Sequence, residues 1–458
     1  MKKQNYNLIN YKLTTFGLPD VIVCNQVWKG AFILALLIKN GYILDPFTGT
    51  EGISDLYLED GIIKEIKPEI SREAHEVIDA AGLYVMPGFI DLHVHLREPG
   101  FEYKETIATG SKAAARGGYT TICPMPNTNP ATDSREMIET ILQKAEAEAA
   151  VHILPIGAVT KGQNGLELSD IKDMAKAGAV AVSEDGKSVM NTALYRLGMK
   201  EAKEAGIPVF AHCEDKDLAG KGVLNEGSKS RELGMPGISN AVEDIIAARD
   251  ILLAKDTGAT LHLCHCSTKD SVTFIKLAKE NGLPVTGEVC PHHFTMADDE
   301  IEKDDANYKM NPPLRSREDV QALKEGLRNN IMDVIATDHA PHSEEEKEKS
   351  ILEAPFGIVG LETAFALTMT ELVLKGWLTP MQMVEKMSLN PARILGIDKG
   401  ILAPGKAADI VIADPKEEYK IDKNEFASKG KNTPFHEKAV TGRIKYTIVD
   451  GNIVYRHI

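Results

Sequence analysis

Residues 87–100 read Pro87-Gly88-Phe89-Ile90-Asp91-Leu92-His93-Val94-His95-Leu96-Arg97-Glu98-Pro99-Gly100. A Pro-Gly turn opens the stretch and an apolar run follows, which predicts a short strand. Residues two apart on a strand share a face. His93 and His95 therefore project together, with Val94 on the other side, and Arg97 follows in the same period where strand gives way to loop. Two imidazoles fixed on one side of a rigid strand can hold a metal ion with little ordering cost. A pair of core histidines alternating with Val and Leu is the plainer reading. The Arg-Glu-Pro-Gly that follows at the strand end weighs against it.

Outward from this stretch, apolar runs alternate with amphipathic segments, as in βα units around a parallel sheet. Eight units fall between residues 87 and 393, with strands predicted over 89–94, 120–124, 151–156, 179–183, 208–211, 260–264, 284–289 and 332–336. Glycine closes most of the intervening helices, at Gly118, Gly178, Gly206, Gly258, Gly282 and Gly376. Left-handed backbone at a helix end suits Gly best. Eight such units predict an α/β fold of the (β/α)8 TIM-barrel type rather than an open doubly wound sheet.

The flanks read differently. Residues 37–45 predict a strand with an Asn40-Gly41 turn, and Glu59-Asp60-Gly61 joins residues 55–58 to 62–66 as a hairpin. Near the other end, Asp450-Gly451 joins residues 444–449 to 453–455, after a strand at 409–412. Neither flank has much core alone. Residues 36–86 and 394–458 are therefore expected to build one small β domain from both chain ends. Residues 1–35 carry Lys2, Lys3 and the start of an apolar run, without the layout of a signal peptide. They are expected to be a dispensable appendage.

With 458 residues, 43% hydrophobic and 26% charged, the chain has the composition of a globular protein with one large and one smaller domain. A net charge of −15 argues against a nucleic-acid partner, and no apolar run is long enough to span a membrane. Six scattered cysteines make no disulfide framework and point to a reducing cytoplasm. Cys264 and Cys266 read as small buried hydrophobes.

In a (β/α)8 barrel the chemistry sits at the C-terminal ends of the strands. Those ends carry His93, His95 and Arg97; then Asn127; then Glu184-Asp185-Gly186; then His212-Cys213-Glu214; then His265; then His292, His293 and Asn311; and finally Asp338-His339-Ala340-Pro341-His342. Four histidines and two aspartates at one end of one barrel are poorly explained by packing. Six such ligands suit two divalent ions rather than one. His262 falls mid-strand and reads as core. His292, His293 and His339 stay open as supporting residues, while His75, His152, His436 and His457 read as incidental.

The segments 91–100, 125–128, 184–186, 211–215, 308–315, 336–342 and 355–357 resemble the bacterial type I dihydroorotases of the amidohydrolase superfamily, and the resemblance covers residues 36–458. It implies a zinc-dependent enzyme, with one or two Zn2+ per chain, that reversibly closes N-carbamoyl-L-aspartate to dihydroorotate in pyrimidine biosynthesis. It implies His93 and His95 on one ion, His212 and His265 on the other, and Asp185 between them. Asp338 would be both a ligand and the catalytic proton carrier. Many relatives place a carboxylated lysine where Asp185 stands, so the aspartate separates this chain from hydantoinases and dihydropyrimidinases. The resemblance further implies substrate contacts from Arg97, Asn127, Asn311, His342 and the backbone at Phe356 and Gly357. It also implies a homodimer and association with aspartate transcarbamoylase. Two rivals remain: another cyclic amidohydrolase such as an allantoinase, and a non-catalytic scaffold. Relatives of the second kind lose metal ligands, and this chain keeps all six.

The chemistry stands on its own terms. Opening a cyclic amide at neutral pH needs an activated water, which a zinc ion supplies by acidifying it. A carboxylate can carry the proton to the departing nitrogen. In the closing direction a carboxylate charge is lost, so a proton is consumed and lower pH favours the ring. Arg97 offers a planar fork matched to a spectator carboxylate.

Overall fold

The computed structural model describes residues 35–457. Nearly all of the expected appendage lies outside the described residues. An eight-stranded sheet takes strands from both flanks, in the order Asn452–Arg456, Ala439–Val449, Ile410–Lys420, Tyr84–Pro87, Leu36–Asp45, Thr50–Glu59 and Ile62–Lys67, with Glu76–Asp79 also paired to Leu36–Asp45. The two ends of the chain meet where Tyr84–Pro87 runs antiparallel to the start of Ile410–Lys420. Asp60-Gly61 and Asp450-Gly451 both turn with positive φ (54° and 76°, 46° and 76°), the geometry that matches the twist of a tight hairpin.

Asn40-Gly41 is not a turn. Leu36–Asp45 is one strand whose register slips between Ile38 and Gly41, with Asn40 at φ 60°. The bulge is held because the Asn40 N–H donates to Asp55 Oδ1 (2.8 Å) and its amide donates to Asp79 Oδ1 (2.9 Å). Gly41 lies so close to Val85 that a Cβ would meet it at 2.4 Å.

The barrel strands Phe89–Val94, Tyr119–Pro124, His152–Ile153, Ile156–Ala158, Ala181–Ser183, Val209–Ala211, Leu261–Leu263, Val285–Val289 and Val334–Ile335 are parallel. The third predicted strand is split in two. His152–Ile153 pairs back to Tyr119–Pro124, whereas Ile156–Ala158 pairs forward to Ala181–Ser183. Pro155 stands between them and has no N–H to continue a ladder. The remaining gap, between the eighth strand and the first, is bridged at Val94 and His339, where the His95 N–H donates to the His339 carbonyl (2.8 Å). The buried Asp91 carboxylate clamps the same seam. It accepts from the Thr337 hydroxyl (2.6 Å), the Thr337 N–H (3.2 Å) and the His93 N–H (3.1 Å).

The helices stand between these strands. Thr106, Ser134, Thr268 and Ser316 cap four of them through side-chain oxygens that accept a first-turn N–H. The last barrel helix, predicted over 361–374, is α-helical over Ala364–Thr368 and then widens to a π-helix over Met369–Val373. Phe89 joins the barrel floor to this helix, its ring 5.7 Å from Tyr119 and from Phe365. No helix among the described residues is long and apolar enough to cross a membrane.

The clamp at the seam is testable. Thr337→Val keeps the shape and deletes the hydroxyl donor to Asp91. A buried acceptor left short of a partner costs about 1–3 kcal/mol. The thermal midpoint is expected to fall, and an unchanged midpoint would show that the seam closes without the clamp.

Candidate metal centre

Four imidazoles converge on one buried carboxylate. His93 Nε2 lies 3.3 Å and His212 Nδ1 3.5 Å from Asp185 Oδ1; His265 Nε2 is 3.7 Å from the same oxygen, and His95 Nε2 is 3.7 Å from Asp185 Oδ2. Asp338 Oδ1 stands 3.0 Å from His95 Nε2 and 3.5 Å from His93 Nε2. All six side chains are buried. The strand pleat puts His93 and His95 on one side, and the neighbouring strand ends deliver the rest.

Three of the imidazoles have their outer nitrogen committed elsewhere. His93 Nδ1 is 2.9 Å from Glu288 Oε1, His95 Nδ1 is 2.9 Å from Asn127 Oδ1, and His212 Nε2 is 3.3 Å from Glu214 Oε2. With the outer nitrogen so engaged, the inner nitrogen of each ring is aimed at the centre, where His212 Nδ1 is 2.8 Å from His265 Nε2 and His95 Nε2 is 3.0 Å from Asp338 Oδ1. Outer partners of this kind orient imidazoles as metal ligands. His93 Nε2 is buried without any hydrogen-bond partner, and the set of imidazole and carboxylate donors suits a divalent transition ion. Ligand atoms of His93, His95 and Asp338 lie within 4.8 Å of one another, as do those of His93, Asp185 and His265. The residues fit a metal.

The electrostatics agree. Burial alone would raise the Asp185 carboxyl, but the surrounding histidines, His93 foremost, hold it well below the usual carboxylate range. Burial disfavours a charged His212, yet Asp185 and Glu214 push it up to about 10. The centre of this ring is therefore a place for positive charge. Three residues that border it, Arg97, His265 and Asp338, have left-handed backbone at φ 60°, 34° and 49°. Such conformations cost on the order of 1–3 kcal/mol each and concentrate at functional sites.

A cavity of about 170 Å³ opens above the ring. It is lined by Arg97, Asn127, Asn311, Phe356 and Gly357 together with His95, Asp185, His212, His265 and Asp338. His93 and His342 are absent from the lining. His93 lies fully buried beneath, and His342 stands behind the loop, with Nε2 2.8 Å from the Phe356 carbonyl. Lys104 Nζ is 3.2 Å from His342 Nδ1. Arg97 Nη2 is 3.3 Å from Nε2, so a cation faces each nitrogen of this ring. Burial, with Arg97 and Lys104 adding, keeps this imidazole neutral. Arg97 donates to the Pro341 carbonyl (3.2 Å), lies 3.3 Å from His342 Nε2, and makes no ion pair among the described residues. Its neighbour Glu98 pairs with Lys144 instead, so Arg97 is not a rim salt bridge.

Further polar residues brace the centre, and one of them, Glu288, lies in no motif. Glu288, mid-strand in Val285–Val289, accepts from His93, from the His265 N–H (3.0 Å) and from His262 Nε2 (3.0 Å). His262 is buried, as expected, but it braces this carboxylate. Glu214 accepts from His212 and from the Asn311 amide (2.9 Å). His339 accepts the Gly360 N–H on Nδ1 (3.2 Å), and His293 Nε2 donates to the Pro312 carbonyl (2.9 Å); both are braces outside the cavity. Cys264 and Cys266 are buried. His152 is not incidental to the fold, because it stands 3.6 Å from Asp409 and 3.4 Å from Asp450 and ties the barrel to the sheet.

A dihydro-orotase-like family profile matches residues 82–271, and an amidohydrolase family profile matches residues 352–455. The dihydroorotase of Pelotomaculum thermopropionicum is 50% identical over 421 residues, which is 92% of this chain and 98% of that protein. The dihydroorotase of Caldanaerobacter subterraneus is 49% identical over 423 residues, with the same coverage. Among solved structures, an L-hydantoinase from Arthrobacter aurescens is similar with a TM-score of 0.82 at 28% identity, over 92% of this chain and 96% of that one. A dihydropyrimidinase from Brevibacillus agri gives 0.81 at 26% identity, over 92% and 95%.

Glu288→Gln keeps the shape but weakens the acceptor for His93. Losing such support to a ligand typically costs about 10–100-fold in metal affinity. Competition with a chelator should read that loss, and an unchanged affinity would leave Glu288 a role in the barrel core only.

Proposed function

This chain belongs to the dihydroorotase family, and on that premise we propose that the cavity above the histidine ring binds dihydroorotate and N-carbamoyl-L-aspartate and interconverts them. The enzyme is a cyclic amidohydrolase of a metal-dependent superfamily. One observation carries the assignment of its site: Arg97, Asn127, Asn311 and Asp338 line the same small cavity as four of the buried ligand candidates.

We assign the metal as zinc, one or two ions, held by His93, His95, His212, His265, Asp185 and Asp338. The mixed imidazole and carboxylate donors support that choice. Bound there, zinc supplies polarisation of the amide carbonyl and a water acidified toward neutrality. The chain's own residues do the rest. Asp338 borders the cavity as an ionised carboxylate, because the histidines around it outweigh its burial and hold its pKa low. It takes the proton from the attacking water and gives it to the ring nitrogen as the amide bond breaks. Ring closure runs the same transfers in reverse. Arg97 faces the spectator carboxylate, which neither direction alters. Asn127 and Asn311 are aimed by Asp185 and Glu214, which accept from their amides at 3.1 and 2.9 Å.

The metal assignment is tested by chelation. Activity on dihydroorotate should be lost with the metal and return with added zinc, and a fully active metal-free preparation would sink the assignment.

Arg97 tests the identity of the substrate. A charge-assisted hydrogen bond is worth about 1.5–3 kcal/mol. Arg97→Met should therefore lose about ten- to a hundred-fold in kcat/KM on dihydroorotate. Dihydrouracil has no carboxylate, so its poor turnover should change little. Equal losses on both rings would mean that Arg97 supports the metal site instead.

A further inference from the structure

Residues 354–357 form the loop whose Phe356 and Gly357 border the cavity. Its four consecutive carbonyls are all gripped by side chains. Lys309 Nζ donates to Ala354 O (2.6 Å), Lys347 Nζ to Pro355 O (3.1 Å), His342 Nε2 to Phe356 O (2.8 Å), and Lys347 Nζ again to Gly357 O (2.9 Å). The third donor of Lys347 goes to the carbonyl of Lys309 (3.3 Å), two residues before Asn311. Gly357 returns a bond, its N–H donating to that same carbonyl (2.9 Å). One ammonium thus cross-links the loop to the segment that carries Asn311, from a position one turn beyond His342.

Lys347 is only 7% exposed, and no carboxylate lies within ion-pair distance of it among the described residues. A buried ammonium needs its hydrogen bonds met. Here three donors meet three carbonyls, and Asp305 and Glu346 favour the charge only from beyond ion-pair distance. Burial, with Lys309 close by, pulls its pKa down to about 7. Lys309 sits over the Phe356 ring at 4.5 Å and fixes that side chain as well. Gly357, at φ 129°, is pressed against the end of the eighth strand, where a Cβ would meet Ala340 at 2.6 Å. The loop has no freedom that these contacts leave open.

We propose that Lys347, with Lys309 beside it, is a positioning residue that holds the Phe356-Gly357 edge of the cavity in fixed register with Asn311, so that the substrate ring meets a preformed wall. The proposal rests on the dihydroorotase reading of the cavity. It assigns to these lysines a binding role, not a part in bond making. Without the cross-link, the ordering of the loop must be met when substrate binds, and affinity falls. The metal ligands and Asp338 touch neither lysine, so the chemical step should be spared.

The test is Lys347→Met, with kinetics on dihydroorotate, metal content and thermal melting measured together. A rise in KM of about tenfold, with kcat within about threefold and metal content unchanged, is the expected result. Lys309→Met removes a single hydrogen bond to the loop and should shift KM the same way, by less. It also carries the test if the Lys347 variant does not accumulate as folded protein. A folded variant with unchanged KM overturns the proposal. So does a loss that falls on kcat and metal content together, since that marks a general structural role. Failure of the wild-type enzyme to turn over dihydroorotate would instead strike the reading of the cavity, before any variant is compared.

Discussion

A carboxylate buried among four imidazoles is the constraint around which the barrel mouth is arranged. Asp185 has a nitrogen of each of His93, His95, His212 and His265 within 3.3 to 3.7 Å. In a dry setting such a cluster is stable only if charge is balanced locally, because Coulomb terms grow as the dielectric falls. Glu288, Asn127 and Glu214 engage the outer nitrogens of three histidines and so aim the inner nitrogens at the centre. Protons can fill that centre in part, as the raised His212 shows. A divalent cation held by these residues would supply more charge there, and its binding would release those protons.

The scaffold holds this arrangement at some conformational cost. Arg97, His265 and Asp338 leave their strands in left-handed backbone, which an L-residue adopts only where its surroundings dictate it. The dictation is visible at the seam between the eighth strand and the first. There Asp91 draws Thr337 inward, and the His95 N–H meets the His339 carbonyl. A short, irregular seam lets Asp338 turn toward the ring, where a full ladder would hold it along the strand. Barrel closure and placement of Asp338 are thus one piece of geometry.

Much of this was legible in the sequence, for reasons that also explain the rest. His93-Val94-His95 works because a strand's period is two, so spacing alone fixes direction. The eight strands announced themselves by apolar runs and by glycine at helix ends. Asp60-Gly61 and Asp450-Gly451 needed only local turn chemistry. Asn40-Gly41 carries the same signal, but Asp55 and Asp79 hold it from far along the chain, and a bulge results. Pro155 does split its strand, although a run of apolar residues reads through it. Glu288 was the hardest to see. A single acid in the strand Val285–Val289 gives no motif, and its partners His93, His262 and His265 come from two other strands. A charged residue at a core-facing position was the one available signal.

The likeness to hydantoinases and dihydropyrimidinases at TM-scores of 0.82 and 0.81 shows how little the scaffold says about the ring it opens. What separates the chemistries must lie in the charges facing the cavity. Dihydroorotate differs from a neutral cyclic amide by one carboxylate, and here the half-buried Arg97 guanidinium borders the cavity without an ion pair among the described residues. The other cation close by, Lys104, is already engaged with Glu346 (2.9 Å) and with His342. His342 is held neutral between the two cations and cannot serve as a third. On the proposed reading of the cavity, Arg97, the one of these two cations without a carboxylate partner, would meet the spectator carboxylate. On the same reading, the second carboxylate of the open-chain substrate would be the reacting group and would lie over the metal centre. A neutral ring would leave the half-buried Arg97 without a matching charge, and that mismatch works against it in both directions of the reaction.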